Sequence, residues 1–341
     1  MKAAVLNGPG QVTVEQVPDP RIECSTDAVV RVVFAGICGT DLRGYRGLPG
    51  PVQGPRCGHE FLGLVTEVGS DVAFARPGTM VVAPFKYSDG TCAQCQRGMP
   101  GSCHQGGMWG VAADGGQAEA VRVPFADATL LPVPMDEHDE RLTAVLALAD
   151  VMATGYHAVT AARLPERATI VVVGDGAVGL CSVLAARAAR AERILLLSHH
   201  PARGEIGLRF GATEVVAARG AQAVEQVLQS TAQVGADLVA ECVGDQAALD
   251  TAIAVCADGG ALSLVGGPHA ALDTRPLFTR GLTVTGGLAP ARRYLPRLLN
   301  EVLAGRLDPA PVFDRTVSLA HIGEGYAAMD ARQATKVAVR P

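Results

Sequence analysis

Cys38, His59, Glu60 and Asp150 offer a thiolate, an imidazole and two carboxylates from three short segments: Gly36-Ile37-Cys38-Gly39-Thr40-Asp41, Gly58-His59-Glu60 and Leu148-Ala149-Asp150. Sulfur together with nitrogen suits zinc better than magnesium or calcium. Cys38 and His59 would supply two ligands, and Asp150 or Glu60 a carboxylate. Water or substrate would take the remaining position, which marks a catalytic site rather than a closed structural one. Positive charge there stabilises an alkoxide and eases hydride departure; in reverse it polarises a carbonyl. Either Cys38 or His59 alone would read as an ordinary core residue. The combination, each member beside a glycine, points to metal.

A second chemical signal follows. Gly174-Asp175-Gly176-Ala177-Val178-Gly179 comes after the apolar run Ile170-Val171-Val172-Val173 and opens a helix-length stretch from Ala177 to Ala189. This is the setting that a dinucleotide loop requires. Gly174 allows the tight turn, Gly176 lets the backbone approach a pyrophosphate, and Gly179 allows close packing of helix on sheet. The helix start at Ala177 and Val178 then faces the phosphates. A catalytic metal followed by such a loop implies hydride transfer at an alcohol carbon. NAD enzymes usually carry Asp or Glu at the end of the next strand. Here that residue is Ser198, followed by His199, His200 and Arg203. With no carboxylate there to repel a 2′-phosphate, the expected cofactor is NADP(H) in preference to NAD(H).

The elements that must position these groups differ along the chain. Up to about residue 147, short strand-like runs such as Ala28–Val33 and Leu62–Val68 alternate with long loops, a mostly-β pattern. From about Ala168, strands at Ile170–Val173, Arg193–Leu197, Leu238–Ala240, Ala261–Val265 and Thr283–Thr285 alternate with helical stretches, which indicates a parallel sheet covered on both faces. A helix after Pro290 carries Leu295, Leu298, Leu299 and Val302, with Pro296 expected near its first turn. The strand-like end Lys336–Val339 is expected to return to the first domain. The reading is an α/β chain of two domains, 1–147 with 290–341 and 148–289.

Composition narrows the class. At 341 residues the chain exceeds a usual single core, and 48% hydrophobic with 18% charged residues is enough to bury two. A formal net charge of −5 with no long basic run argues against nucleic-acid binding. The N-terminus lacks the apolar core of a signal peptide and no run is long enough to span a membrane, so a cytoplasmic location without a membrane partner is expected. Nine cysteines, three of them clustered at Cys92, Cys95 and Cys103, read as metal ligands rather than disulfides in such a chain.

These segments in this order, together with Asp150-Val151-Met152-Ala153-Thr154-Gly155-Tyr156-His157, resemble a zinc-dependent alcohol dehydrogenase of the medium-chain dehydrogenase/reductase superfamily. The resemblance covers essentially the whole length. It implies a GroES-like catalytic domain joined to a Rossmann doubly wound parallel-sheet domain. It implies Cys38, His59 and Asp150 as catalytic zinc ligands, Glu60 as a carboxylate that can approach the metal, and Thr40 as the hydroxyl relaying the substrate proton. Many relatives follow with an outer relay histidine where this chain has Arg43. A guanidinium cannot shuttle protons near neutral pH, so either water takes that step or Arg43 contacts cofactor phosphate.

The resemblance also implies a structural zinc held by Cys92, Cys95, Cys103 and, in place of a usual fourth cysteine, Asp89; His104 is a second candidate. Val265, with Gly266 and Gly267, would contact the nicotinamide end, and Lys336 the pyrophosphate region. Met108, Trp109 and Tyr156 are candidate pocket residues. Substrates would be small alcohols, aldehydes or ketones, and the assembly a homodimer or homotetramer. Two other readings stay open: a zinc-free quinone or enone reductase of the same architecture, and a non-enzymatic nucleotide-binding protein.

Overall fold

The computed structural model describes residues 1–48, 56–267 and 271–341. The chain forms two compact units, Met1–Asp150 with Pro290–Pro341, and Val151–Ala289. The division falls after Asp150, not at 147, so Asp150 belongs to the same unit as Cys38 and His59.

The first unit is built on a mostly antiparallel sheet. The strand Ala28–Ile37 is its centre, flanked by Glu60–Val68 on one side and the C-terminal strand Val337–Arg340 on the other. Arg315–Ser318 adds in parallel beyond Val337–Arg340, and Met80–Ala83 and Leu131–Pro132 continue the opposite edge. The run from Ala28 to Ile37 is β-branched and apolar on both faces because both faces are covered; Val30, Val32, Ala35 and Ile37 all enter one core with Phe61, Val121 and Tyr326. The helix Ala291–Leu303 buries Leu295, Leu298, Leu299 and Val302 at helical spacing. Pro296 lies inside this helix rather than in its first turn. The helix starts earlier than a first-turn proline implies, and Pro296 removes the bond its N–H would make to the Arg292 carbonyl.

The second unit is a six-stranded, all-parallel sheet. Its order is Glu214–Val216, Arg193–Leu197, Thr169–Val173, Ala236–Glu241, Cys256–Leu264, Thr283–Gly286. Numbered within the unit this is 3-2-1-4-5-6, the Rossmann order. The first strand in sequence, Thr169–Val173, is therefore central, which explains why Ile170, Val171 and Val172 are fully buried. The order reverses between Thr169–Val173 and Ala236–Glu241, and the glycine loop sits at that switch point. Gly174 has φ +111°, a conformation costly for any side chain. A Cβ at Gly179 would lie 1.9 Å from the Gly174 carbonyl oxygen.

That contact is with backbone and cannot be relieved by a rotamer change. Gly179→Ala is expected to destabilise this unit by about 1–3 kcal/mol and to weaken nucleotide binding. Denaturant melts and nucleotide titrations check this; a variant with parental stability would show that the helix can shift freely.

Candidate active site and metal centres

Strand register builds the first site. Gly36 pairs with Glu60, and Ile37 pairs with Val337. Cys38 therefore leaves one strand where Glu60 enters the next, and Lys336 directly precedes the third. Gly36 gives the Glu60 side chain its room, because a Cβ would stand 2.4 Å from Glu60 Oε2 and push the carboxylate aside. Cys38 caps the helix Gly39–Tyr45, and its N–H donates to Asp41 Oδ2 at 2.9 Å. Asp150 comes from the end of the helical segment Leu142–Leu148.

The four side chains converge. Asp150 Oδ2 lies 3.5 Å from Cys38 Sγ and 3.3 Å from His59 Nε2, and Glu60 Oε1 lies 4.0 Å from His59 Nε2. One donor atom from each falls within 4.8 Å of the others. His59 is 2% exposed, and its Nε2 makes no hydrogen bond. Its Nδ1 lies 3.2 Å from Asp41 Oδ1. A carboxylate on Nδ1 fixes the tautomer that turns the Nε2 lone pair toward the cluster, the usual arrangement behind a metal-binding histidine.

The electrostatics call for a cation. Burial alone would lower the pKa of His59, yet Asp41, Cys38 and Asp150 hold it well above its ordinary value. Burial and then Asp150 push the Cys38 thiol up, against His59 and Lys336. Both the imidazole and the thiol thus sit where positive charge is favoured, the first chiefly through its anionic neighbours and the second chiefly through burial. A zinc ion would supply the same charge while leaving both as ligands. The donor set fits zinc.

Lys336 completes the balance, with a partner that the sequence reading did not give it. Its ammonium is 1% exposed, 2.7 Å from Glu60 Oε1 and 3.3 Å from the Ile37 carbonyl. It is a counter-ion to Glu60. Burial raises the pKa of Glu60, and Lys336 is the strongest influence lowering it. Two further residues carry no role in the sequence reading. Asp41 orients His59 and holds the Cys38 N–H. Buried Gln117 donates to Gly36 O (2.9 Å) and Asp41 Oδ2 (3.2 Å), and accepts from Tyr326 (2.8 Å). Asp41 had a legible signal, since it closes the same segment as Cys38 at the third helical position. Gln117 had none.

A cavity of about 30 Å³ opens beside His59, lined by Thr40, Arg43, Met108 and Trp109 among others. Thr40, half-buried in the first helical turn, lines this cavity. Trp109 is also core: it packs edge-on to Phe61 and donates to Pro84 O at 2.8 Å. Tyr156 lies in the helix Val151–Thr160 of the second unit.

In the cysteine loop, Asp89 Oδ1 accepts from the N–H groups of Cys92 (2.9 Å) and Thr91 (2.8 Å), while buried Oδ2 has no partner. Those N–H groups, Cys92 first, hold the Asp89 carboxyl down at about 2. Cys92 Sγ lies 3.6 Å from Cys95 Sγ and 3.8 Å from Cys103 Sγ. Sulfurs bound tetrahedrally at about 2.3 Å from zinc stand about 3.8 Å apart, whereas a disulfide needs about 2.05 Å. Asp89 and the three cysteines group within ligand range, and exposed His104 is not part of that group.

In the second unit, Gly176 caps the helix Ala177–Ala188, and a Cβ there would meet nothing within 4 Å, so the backbone faces open space. Ser198, His200 and Arg203 gather beside the loop, and His199 contacts Arg219. The expectation that no carboxylate stands there is overturned: Asp175, from the glycine loop, accepts from Ser198 Oγ at 2.8 Å. The N–H groups of Val265 and Gly266 both donate to the Glu241 carbonyl, so a contact from them to a cofactor must use their carbonyls.

Comparison with known proteins agrees with this architecture. Residues 25–134 match the alcohol dehydrogenase GroES-like domain family, and residues 177–304 the zinc-binding dehydrogenase family. Zinc-type alcohol dehydrogenase B of Aspergillus flavus is 33% identical over 99% of this chain and 80% of its own length. The chain belongs to the zinc-type alcohol dehydrogenase family. Alcohol dehydrogenase TADH of Thermus sp. ATN1 superposes with a TM-score of 0.91 at 32% identity, covering 100% of this chain and 99% of that one. A Sinorhizobium meliloti protein assigned as a zinc-binding dehydrogenase, solved bound to NADP, has a TM-score of 0.85 at 27% identity, covering 100% and 99%. This dehydrogenase is therefore a zinc-dependent oxidoreductase with a GroES-like domain and a Rossmann domain. The family does not favour the zinc-free alternative.

Metal analysis should find about two zinc ions per chain. Cys38→Ser should leave about one and abolish turnover; Asp89→Ala should also leave about one while keeping measurable turnover. An active Cys38→Ser enzyme with full zinc would remove the catalytic assignment. Lys336→Met strands a buried carboxylate and should cost about 3–5 kcal/mol, largely restored by adding Glu60→Gln. Denaturant unfolding of both variants checks this, and a Lys336→Met loss below about 1 kcal/mol would show that the pair is replaceable by solvent.

Proposed function

We propose that this dehydrogenase transfers a hydride between NADP(H), favoured over NAD(H), and a small alcohol or its aldehyde or ketone. The observation that carries this reading is the buried, unbonded His59 Nε2 facing Cys38 Sγ and Asp150 Oδ2. These three residues are the proposed ligands of the catalytic zinc, with Asp89, Cys92, Cys95 and Cys103 holding the structural one. A zinc ion held there would supply Lewis acidity toward a substrate oxygen, and a nicotinamide nucleotide would supply the hydride chemistry.

The chain's own groups do the rest. Thr40 Oγ1, both donor and acceptor, takes the proton of the alcohol hydroxyl during oxidation and returns it during reduction. Arg43 lines the same cavity but cannot carry that proton further, so water receives it. Glu60, its charge balanced by Lys336, is the carboxylate positioned to approach the metal. Asp41 keeps the His59 ring oriented. In the second unit, Gly174, Gly176 and Gly179 with the helix start at Ala177 and Val178 receive the pyrophosphate. Val265 and Gly266 offer carbonyls to the nicotinamide amide. Support for a 2′-phosphate comes from Ser198, His200 and Arg203, whose donors converge on an anion, with His199 and Arg219 adjacent.

Self-association as a homodimer or homotetramer in the cytoplasm belongs to the same proposal. Its support is the edge strand Thr283–Gly286 with exposed Val284, and exposed Phe278 and Leu288 nearby in the chain. Among the described residues no single helix is long and apolar enough to cross a membrane.

The test pairs metal analysis with a panel of alcohols, aldehydes and ketones run with both nucleotides. Chelator-sensitive turnover with kcat/KM at least about tenfold higher for NADP(H) is expected. Turnover that survives chelation would favour a quinone or enone reductase. Nucleotide binding without turnover would favour a non-enzymatic role, and equal kcat/KM values would remove the NADP(H) preference.

A further inference from the structure

We propose that Asp175 tunes nucleotide preference by occupying, from within the chain, the anion position that a ribose 2′-phosphate would take. The proposal rests on reading the second unit as a nicotinamide-nucleotide site.

Asp175 is the second residue of the glycine loop, at the C-terminal end of the central strand Thr169–Val173. It is 7% exposed. Its carboxylate is met by three donors from the end of the neighbouring strand and the helix after it. Ser198 Oγ donates to Oδ2 at 2.8 Å, His200 Nδ1 lies 2.8 Å from the same oxygen, and Arg203 lies 3.4 Å from Oδ1. A hydroxyl, an imidazole and a guanidinium around one buried anion form a phosphate-type site. The strand-end position that would select for the ribose hydroxyls of NAD is itself Ser198. The carboxylate in this region is instead supplied by the loop.

Burial raises the carboxyl pKa of Asp175, but His200, Ser198 and Arg203 outweigh it and hold it below its ordinary value, so the group is an anion at working pH. A 2′-phosphate carries about −1.5 to −2 charges and seeks the same donors. It must displace Asp175 or bind against its charge, and like charges in contact are costly. NAD(H) has hydroxyls there, and an anionic Asp175 can accept hydrogen bonds from them. The same residue therefore moderates, without reversing, the NADP(H) preference that Ser198, His200 and Arg203 support, because it weakens one nucleotide while tolerating the other.

Asp175→Asn keeps the shape and an acceptor while removing the charge. Dissociation constants for NADPH and NADH are measured on the zinc-loaded enzyme by nucleotide fluorescence. The expected result is a shift of the NADH-to-NADPH Kd ratio toward NADPH by about tenfold or more, with NADH binding unchanged or weaker. A purely structural carboxylate would move both constants together. Asp175→Ser, which also lacks the charge, is read in the same way should the amide not be accommodated. A ratio within about twofold of the parent in the folded variant, or a shift toward NADH, overturns the proposal. Failure of the parent to bind either nucleotide would instead refute the nucleotide reading itself.

Discussion

Everything in the first unit is organised around one buried imidazole nitrogen without a hydrogen bond. His59 Nε2 faces a thiol and a carboxylate at near-contact distances, with a second carboxylate close by. A buried polar atom left unsatisfied is costly, and several buried anions around it more so. A cation resolves both costs together. The surrounding anions also raise the pKa of His59 against the effect of burial, the electrostatic mark of a site that favours positive charge.

The sheet makes this crowding possible. Pairing Gly36 with Glu60 and Ile37 with Val337 brings three chain segments, far apart in sequence, to one end of adjacent strands. A slip of one residue would turn every side chain to the opposite face. The buried polar residues then hold each ligand in place: Asp41 on His59, Gln117 on Asp41, Lys336 on Glu60. A ligand set on rigid strands and a helix start, rather than on free loops, keeps its geometry.

The same problem, an anion in a low-dielectric setting, is solved three ways in this chain. Glu60 is paired with a buried ammonium. Asp89 is held by backbone N–H groups, which leave its second oxygen directed to the cysteine cluster. Asp175 is met by a hydroxyl, an imidazole and a guanidinium. In each case the partners are of a different chemical kind: an ammonium, backbone N–H groups, or mixed side-chain donors.

The donor types were legible in the residues themselves, because sulfur, nitrogen and oxygen donors beside glycines have few structural uses. The Rossmann unit was legible too, since apolar strands alternating with helices and a glycine loop after the first strand leave little choice of sheet. What spacing could not convey is pairing across long separations. Lys336 reads as a surface base until register buries it against Glu60. Ser198 reads as a site free of carboxylate until the switch point brings Asp175 beside it. Pro296 reads as a helix start until packing extends the helix ahead of it. Residue type determines which chemistry is available, because it is carried by single side chains. Charge balance is decided by tertiary structure, because it depends on which distant groups share the same few cubic ångströms.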